Sequence, residues 1–313
     1  MTALLLVYGV LLALGPGAVV GVVPGCGVAS AIADTADAAV RGRGTVETPT
    51  AGEVEEVLPE GETLSGREIY DRFLKNKKRL RTAHQEGRIL SKDPAGNPQE
   101  TRWWSEWKDY RDADDDAVDG LFSKAILKFS GPYELRHTGY LYIQRDGEPD
   151  QQFMYSPSRR RTTRVHIRGQ NVVGTDFNVD DFLVTIDDIE DADYRRFPDE
   201  IVGGVACYVV EAVMRPTATT TYSRSISYLD KTHYVPLRTR YWDEFDVEAK
   251  ELRSPFAAVK EFDGAWVPTV STMRDLLEET KSTMRIEQLD PNPPIEDIAF
   301  ALGVLEKTPE SAP

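Results

Sequence analysis

Leu121-Phe122-Ser123-Lys124-Ala125-Ile126-Leu127-Lys128-Phe129 is the stretch on which the reading of the fold turns. Its odd positions Leu121, Ala125, Leu127 and Phe129 are apolar, and its even positions include Lys124 and Lys128. Successive side chains of an extended chain point to opposite faces. The stretch therefore predicts a strand with one dry and one wet face. The pattern recurs. Over 137–145, Leu141 and Ile143 share one phase; over 161–168, Val165 and Ile167 oppose Arg164, His166 and Arg168. Over 236–242, Leu237 and Tyr241 oppose Arg238 and Arg240. Turn clusters at Asp146-Gly147-Glu148-Pro149, Gly203-Gly204, Asp230-Lys231 and Asp263-Gly264 separate such segments. Strands joined by short turns form an antiparallel meander.

Outside these strands, Ser65-Gly66-Arg67-Glu68 is a capping box, and Ile69, Phe73 and Leu80 follow at near-helical spacing. The two signals predict a helix over 66–78. Asp93-Pro94-Ala95-Gly96-Asn97-Pro98 is a dense turn between polar-aromatic strands expected over 82–92 and 99–110. The acidic run 112–116 reads as a solvated loop, and 178–183 and 295–305 read as short helices. The architecture is α+β, mainly β: a long curved antiparallel sheet with a few helices packed on its dry face. An outer-membrane barrel would need a lipid-facing outer band, whereas here one face of each strand carries Arg, Lys and His.

The chain has 313 residues, 41% of them hydrophobic, enough to bury a core without staples. Its 37 basic and 52 acidic residues leave a net charge of -15. Nucleic-acid binding rests on phosphate neutralisation, so this balance argues against a nucleic-acid partner. Residues 3–23 are almost continuously apolar, and Ala29-Ser30-Ala31-Ile32-Ala33 supplies small residues suited to cleavage after Ala33. Residues 1–33 are therefore expected to be a signal peptide. Lipidation at Cys26, giving an outer-membrane lipoprotein, and an uncleaved anchor are the alternatives, and all three place the folded part outside the cytoplasm. Residues 34–64 read as a flexible linker and 307–313 as a tail. Cys207, in the apolar run Val205-Ala206-Cys207-Tyr208-Val209-Val210, reads as a small buried hydrophobe.

The chain has no G-x-S-x-G, H-E-x-x-H, P-loop or C-x-x-C motif. His84, His137, His166 and His233 lack a second ligand at metal spacing. Asp187, Asp188, Glu190, Asp191 and Asp193 lack the calcium-loop pattern. With no nucleophile–base couple either, the expectation is a protein that is not an enzyme and uses no cofactor.

Four segments bear on family. Phe153-Met154-Tyr155-Ser156-Pro157-Ser158-Arg159-Arg160-Arg161-Thr162-Thr163-Arg164-Val165 precedes Gly174-Thr175-Asp176-Phe177-Asn178-Val179-Asp180-Asp181-Phe182. Further on stand Tyr228-Leu229-Asp230-Lys231-Thr232-His233-Tyr234-Val235-Pro236-Leu237-Arg238 and Trp266-Val267-Pro268-Thr269 with Met273-Arg274-Asp275. In these motifs and their order, residues 65–306 resemble the outer membrane lipoprotein-sorting family, the large LolA-like group. Ser156 and the pair Thr162-Thr163 depart from its pattern. The resemblance implies an unclosed β-barrel, or half-barrel, whose helices cover a hydrophobic cavity. It also implies a periplasmic carrier of lipid or acylated lipoprotein cargo beside an RND-type transporter.

On that reading the apolar phase supplies the ligand wall: Leu121, Leu127, Phe129, Leu141, Ile143, Val165, Leu237 and Tyr241. Each of these would otherwise be plain core. Arg159, Arg160, Arg161, Arg164 and Arg168 form a basic spot on an acidic protein, suited to anionic headgroups at a transient membrane contact or to an acidic transporter surface. A wet strand face balanced by the nearby acidic loop is the alternative. Two rivals to the carrier stand beside it: a lipid-acting hydrolase on the same fold, and a non-binding adaptor subunit of an exporter.

Overall fold

Ser65 opens the first helix as the sequence predicts. Its backbone N–H donates to Glu68 Oε2 at 2.8 Å, and its Oγ accepts from the Glu68 N–H at 3.3 Å. The helix, α1 (Gly66–Lys77), carries Glu68 in its first turn and Lys75 and Lys77 in its last, matching the helix dipole. A computed structural model describes residues 64–92, 95–166, 171–172, 174–178, 189–216, 220 and 222–307. These belong to the compact unit Glu53–Pro313; the other unit, Met1–Gly52, lies outside the described residues. The expected signal peptide with Cys26, the linker before Leu64, the tail after Lys307, Arg168 and the expected helix beyond Asn178 also lie outside them.

After α1 come β1 (Thr82–Lys92), β2 (Pro98–Asp109), β3 (Leu121–Gly131), β4 (Gly139–Arg145), β5 (Gln151–Ser156) and β6 (Arg161–Arg164). The second half holds β7 (Ala192–Val202), β8 (Val205–Met214), β9 (Arg224–Asp230), β10 (Pro236–Trp242) and β11 (Glu248–Arg253). It continues through β12 (Val259–Phe262), β13 (Ala265–Pro268), β14 (Val270–Asp275), β15 (Thr280–Pro291), a 3-10 turn at Asp297–Phe300 and α2 (Leu302–Glu306). The expected strand over 161–168 is thus shorter, ending at Arg164, and the expected helix over 295–305 is a 3-10 turn followed by α2.

Thirteen strands form one sheet in the order β6-β5-β4-β3-β2-β1-β15-β14-β11-β10-β9-β8-β7, and β12 pairs with β13 in a separate hairpin. Two meanders, β1 to β6 and β7 to β15, are joined where β1 pairs with β15. Every pairing among the described residues is antiparallel, and the sheet stays open as a half-barrel.

The alternation read in the sequence sets the faces. Ala125, Leu127 and Phe129 point inward to a cluster that includes Trp103, Trp107, Tyr142, Phe177 and Met273. Cross-strand partners Ile126 and Leu141 point outward, where Phe300 and Leu305 cover them. That outer cover is tied down by Lys128. Its Nζ donates to the carbonyls of Val304 at 3.1 Å, Leu305 at 2.9 Å and Lys307, at the C-terminal end of α2 where backbone carbonyls lack helical partners. Burial pulls the Lys128 ammonium down to a pKa of about 8. At the far end of the sheet, Ile69 of α1 packs on Tyr208, Val210 and Leu229. The opposite face of β8 gives Cys207 and Val209, which pack with Tyr228 and Leu237. Cys207 is fully buried and its thiol is pushed up to about 11 by desolvation and by Asp230, so it is the inert hydrophobe its apolar run predicts.

Candidate functional site

The inner face of the half-barrel holds a cavity of about 260 Å³, near the lower end of ligand pockets. Its sheet wall is Ala83 and Gln85 of β1, Trp103 and Trp107 of β2, Met284 and Ile286 of β15, Ser271 of β14 and Leu252 of β11. Across from the sheet stand Phe73, Asn76, Lys77 and Leu80 from α1 and its exit, with Ala265, Trp266, Val267 and Pro268 of β13. Phe177, Val235 and Pro236 complete the lining.

Local chemistry explains why these side chains gather. A Cβ on Gly87 would lie 2.3 Å from the Arg285 carbonyl oxygen and 2.9 Å from Trp103 Cζ2. Only glycine lets the Trp103 ring lie against β1 there, at a bulge in the β1–β15 pairing. The helix and the hairpin are joined by Asn76, which donates from Nδ2 to the Trp266 carbonyl at 2.8 Å. Its Oδ1 accepts from the Trp266 N–H at the same distance. Asn76 is buried and satisfies both backbone groups of one residue.

Asp230, fully buried, builds the turn between β9 and β10. Its carboxylate accepts from the N–H groups of Thr232 at 3.1 Å, His233 at 2.8 Å and Val235 at 2.9 Å. Tyr234 takes a positive φ of 59° inside this turn. The result places Val235 and Pro236 on the cavity wall and sets His233 against Trp266, ring centroids 3.8 Å apart and planes tilted by 36°. Asp176 plays a similar part for Phe177. Its carboxylate accepts from the hydroxyls of Ser282 and Thr280, and its N–H donates to Ser282 Oγ at 3.0 Å. Buried Lys250 adds bonds to Asn171 Oδ1 at 2.6 Å, the Asp176 carbonyl at 2.7 Å and Asn178 Oδ1 at 3.3 Å. The sequence motifs around Asp176, Asp230 and Trp266 are thus scaffolding for one cavity.

The wall is mostly hydrocarbon. Among its few polar groups, buried Trp107 has an indole N–H with no acceptor among the described residues. Such a wall favours an apolar guest and offers it very few polar contacts.

None of the eight residues expected from the sequence to line a ligand site is among the residues that line this cavity. Leu127 and Phe129 belong to the inner cluster, and Tyr241 packs against it. Leu141 and Ile143 lie on the outer face beneath Phe300 and Leu305. Leu237 packs with Cys207 and Val209. Leu121 is half-buried at the start of β3, and half-buried Val165 donates its N–H to the Gln152 carbonyl at 2.8 Å just after β6. Arg159, Arg160, Arg161 and Arg164 are exposed on the β5–β6 hairpin at one edge of the sheet, and Arg160 has φ 47°. Of the acidic cluster, Glu190 is ion-paired to Arg67 and Arg215 and Asp193 to Arg215, while Asp187 and Asp188 lie outside the described residues. Sequence reasoning passed over Asn76, Trp103, Trp107 and Ile286. The tryptophans sat in a strand read as polar-aromatic, and Asn76 sits on a helix where nothing in the spacing marks a clamp.

An open antiparallel half-barrel with an apolar cavity between its inner face and a capped helix is the LolA-like fold. A family model described as "-like: Uncharacterized protein" matches residues 122–307, more than half of the chain, and the chain belongs to that family. Solved structures agree on the architecture. An outer membrane lipoprotein-sorting protein domain from Vibrio parahaemolyticus superposes with a TM-score of 0.65 at 20% identity, over 77% of this chain and 98% of that one. A DUF1329 family protein from Desulfovibrio piger gives 0.67 at 20% identity, over 78% and 100%. A LolA superfamily protein from Nitrosomonas europaea gives 0.58 at 13% identity, over 77% and 100%. No curated protein matches the chain.

Proposed function

We propose that this protein is a non-enzymatic periplasmic carrier. It shelters the hydrocarbon of a lipid or an acylated lipoprotein between the sheet, α1 and β13 while the cargo moves toward the outer membrane. The observation that carries this reading is the largely apolar cavity on the inner face of an open half-barrel. Removing acyl chains from water is worth roughly 0.8 kcal/mol per CH₂, so a dry concavity is the whole of the required chemistry. The fold shared with a lipoprotein-sorting domain supports the same class of cargo. A hydrolase would need an activated nucleophile, and the one cysteine among the described residues is buried with its thiol pushed up to about 11. Export follows from the apolar leader read in the sequence.

The exposed arginines of the β5–β6 hairpin suit contact with an RND-type transporter or an anionic membrane surface. Replacing Arg160 and Arg164 together by Glu leaves the melting temperature nearly unchanged, as exposed charge swaps do, and weakens binding to anionic liposomes. The carrier reading itself is tested by extracting the protein from periplasm and identifying bound lipids by mass spectrometry. Acyl lipid near one equivalent supports it. Lipid-free protein that also fails to take up an added fatty acid refutes it.

A further inference from the structure

Beside the apolar cavity lies a cleft of about 290 Å³ with which it shares Asn76 and Trp266 as walls. The cleft is lined by Arg72, Lys75 and Arg79 from α1 and its exit, facing Thr232, His233 and Tyr234 on the β9–β10 turn. No carboxylate among the described residues lines it. That is against the grain of a chain with net charge -15. Many arginines of this molecule are held by carboxylates: Arg67, Arg88, Arg215, Arg238 and Arg240 are examples.

The cleft's cations are engaged differently. Arg72 donates to the Tyr234 hydroxyl and lies over its ring, 5.1 Å from the centroid. Arg79 Nη1 donates to the Gly264 carbonyl at 3.1 Å. Neither is ion-paired among the described residues; of the three, Lys75 alone has an ion pair, with Asp71 at 2.6 Å one turn earlier. Two other carboxylates have structural roles: Glu68 caps the helix, attracting Arg72 through space, and Asp230 holds its turn. Neutral contacts thus orient two guanidiniums that have no ion-pair partner among the described residues at the rim of a hydrocarbon cavity.

We infer that this cleft binds an anionic headgroup, a phosphate or carboxylate, whose acyl chain occupies the adjoining cavity, so that the cargo is an anionic amphiphile. Guanidinium suits both anions, because its planar donors match their oxygens two at a time. Tyr234 and Thr232 add hydroxyls at the same opening. Asn76 and Trp266 stand where headgroup and chain meet. This inference rests on the carrier reading, and its experiment separates the two.

Three probes are titrated calorimetrically below their micelle thresholds: dodecyl phosphate, the neutral dodecyl maltoside of equal chain length, and inorganic phosphate. Each is run on the wild type and on the exposed double variant Arg72→Gln/Arg79→Gln, whose melting temperature is checked first. The expected result is dodecyl phosphate binding at least roughly tenfold tighter than dodecyl maltoside in the wild type. That advantage disappears in the variant, with maltoside affinity unchanged and inorganic phosphate weak throughout. Equal affinity for the two dodecyl probes in both proteins overturns the headgroup site and leaves the carrier standing. Inorganic phosphate binding as tightly as dodecyl phosphate makes the cleft a free-anion site and overturns the amphiphile. No binding of either dodecyl probe by the wild type fails the carrier reading and this inference with it.

Discussion

Asn76 and Trp266, 190 residues apart, hold each other through two hydrogen bonds of 2.8 Å, one in each direction. This side-chain-to-backbone pair makes α1 and the β12–β13 hairpin a single cover over the inner face. Asn76→Ala leaves a backbone N–H and a carbonyl without their partner, a loss of about 1–3 kcal/mol. The expected result is that much destabilisation in urea, with faster hydrogen exchange at the Trp266 amide. Unchanged exchange there would show that the hairpin is held by other contacts.

Leu141 separates outer core from inner cavity. It packs with Ile126, Phe300 and Leu305 beneath the C-terminal segment. Leu141→Ala is expected to cost about 2–5 kcal/mol, as in a packed core, and to leave fatty-acid binding intact. Denaturation paired with probe titration reads both. Loss of binding without loss of stability would move Leu141 to the cavity wall.

His84 lends the sheet a pH dependence. Its Nδ1 and Nε2 each lie 3.3 Å from a carboxylate oxygen, of Glu106 and Glu86 respectively. The hydrogen bond to Glu106, chiefly, raises its pKa above the ordinary 6.5 against the opposing effect of burial, and Glu86 adds to the rise. The folded state therefore binds the proton more tightly than the unfolded one. The stabilisation is complete below pH 6.5 and is lost as pH rises through the folded pKa. His84→Gln is expected to flatten the stability profile over that window. A wild-type profile that rises with pH there and loses that rise in His84→Gln would reverse the sign.

Much of the frame was legible in advance. The Ser65–Glu68 box marked α1, and alternation marked β10 because one face of that strand is paired with charge. Arg238 on Glu251 and Arg240 on Glu248 are examples. Alternation failed where both faces are covered. Ala125 to Phe129 are all buried, because α2 and the 3-10 turn lie over the outer side of β3. Local spacing carries no signal for a cover supplied by the C-terminal segment, so Leu141 and Ile143 read as the same kind of residue as Leu127. The cavity wall was half visible. Its Trp266-Val267-Pro268 and Val235-Pro236 portions fall in motifs that drew attention for their resemblance, while Trp103, Trp107 and Ile286 converge only through the pairing of β2, β1 and β15.

The central claim, that the space inside the half-barrel is a binding cavity and not a filled core, is met most directly at Ile286. This half-buried residue of β15 lines the cavity. Ile286→Trp adds an indole where a packed core would have no room, and overpacking a core costs typically about 1–3 kcal/mol. The measurement is titration with a fluorescent fatty acid, wild type beside Ile286→Trp, with thermal melts of both. The account predicts saturable binding by the wild type, a nearly unchanged melt for the variant and probe affinity lowered roughly tenfold or more. A variant that is strongly destabilised, together with a wild type that binds no probe, would contradict it.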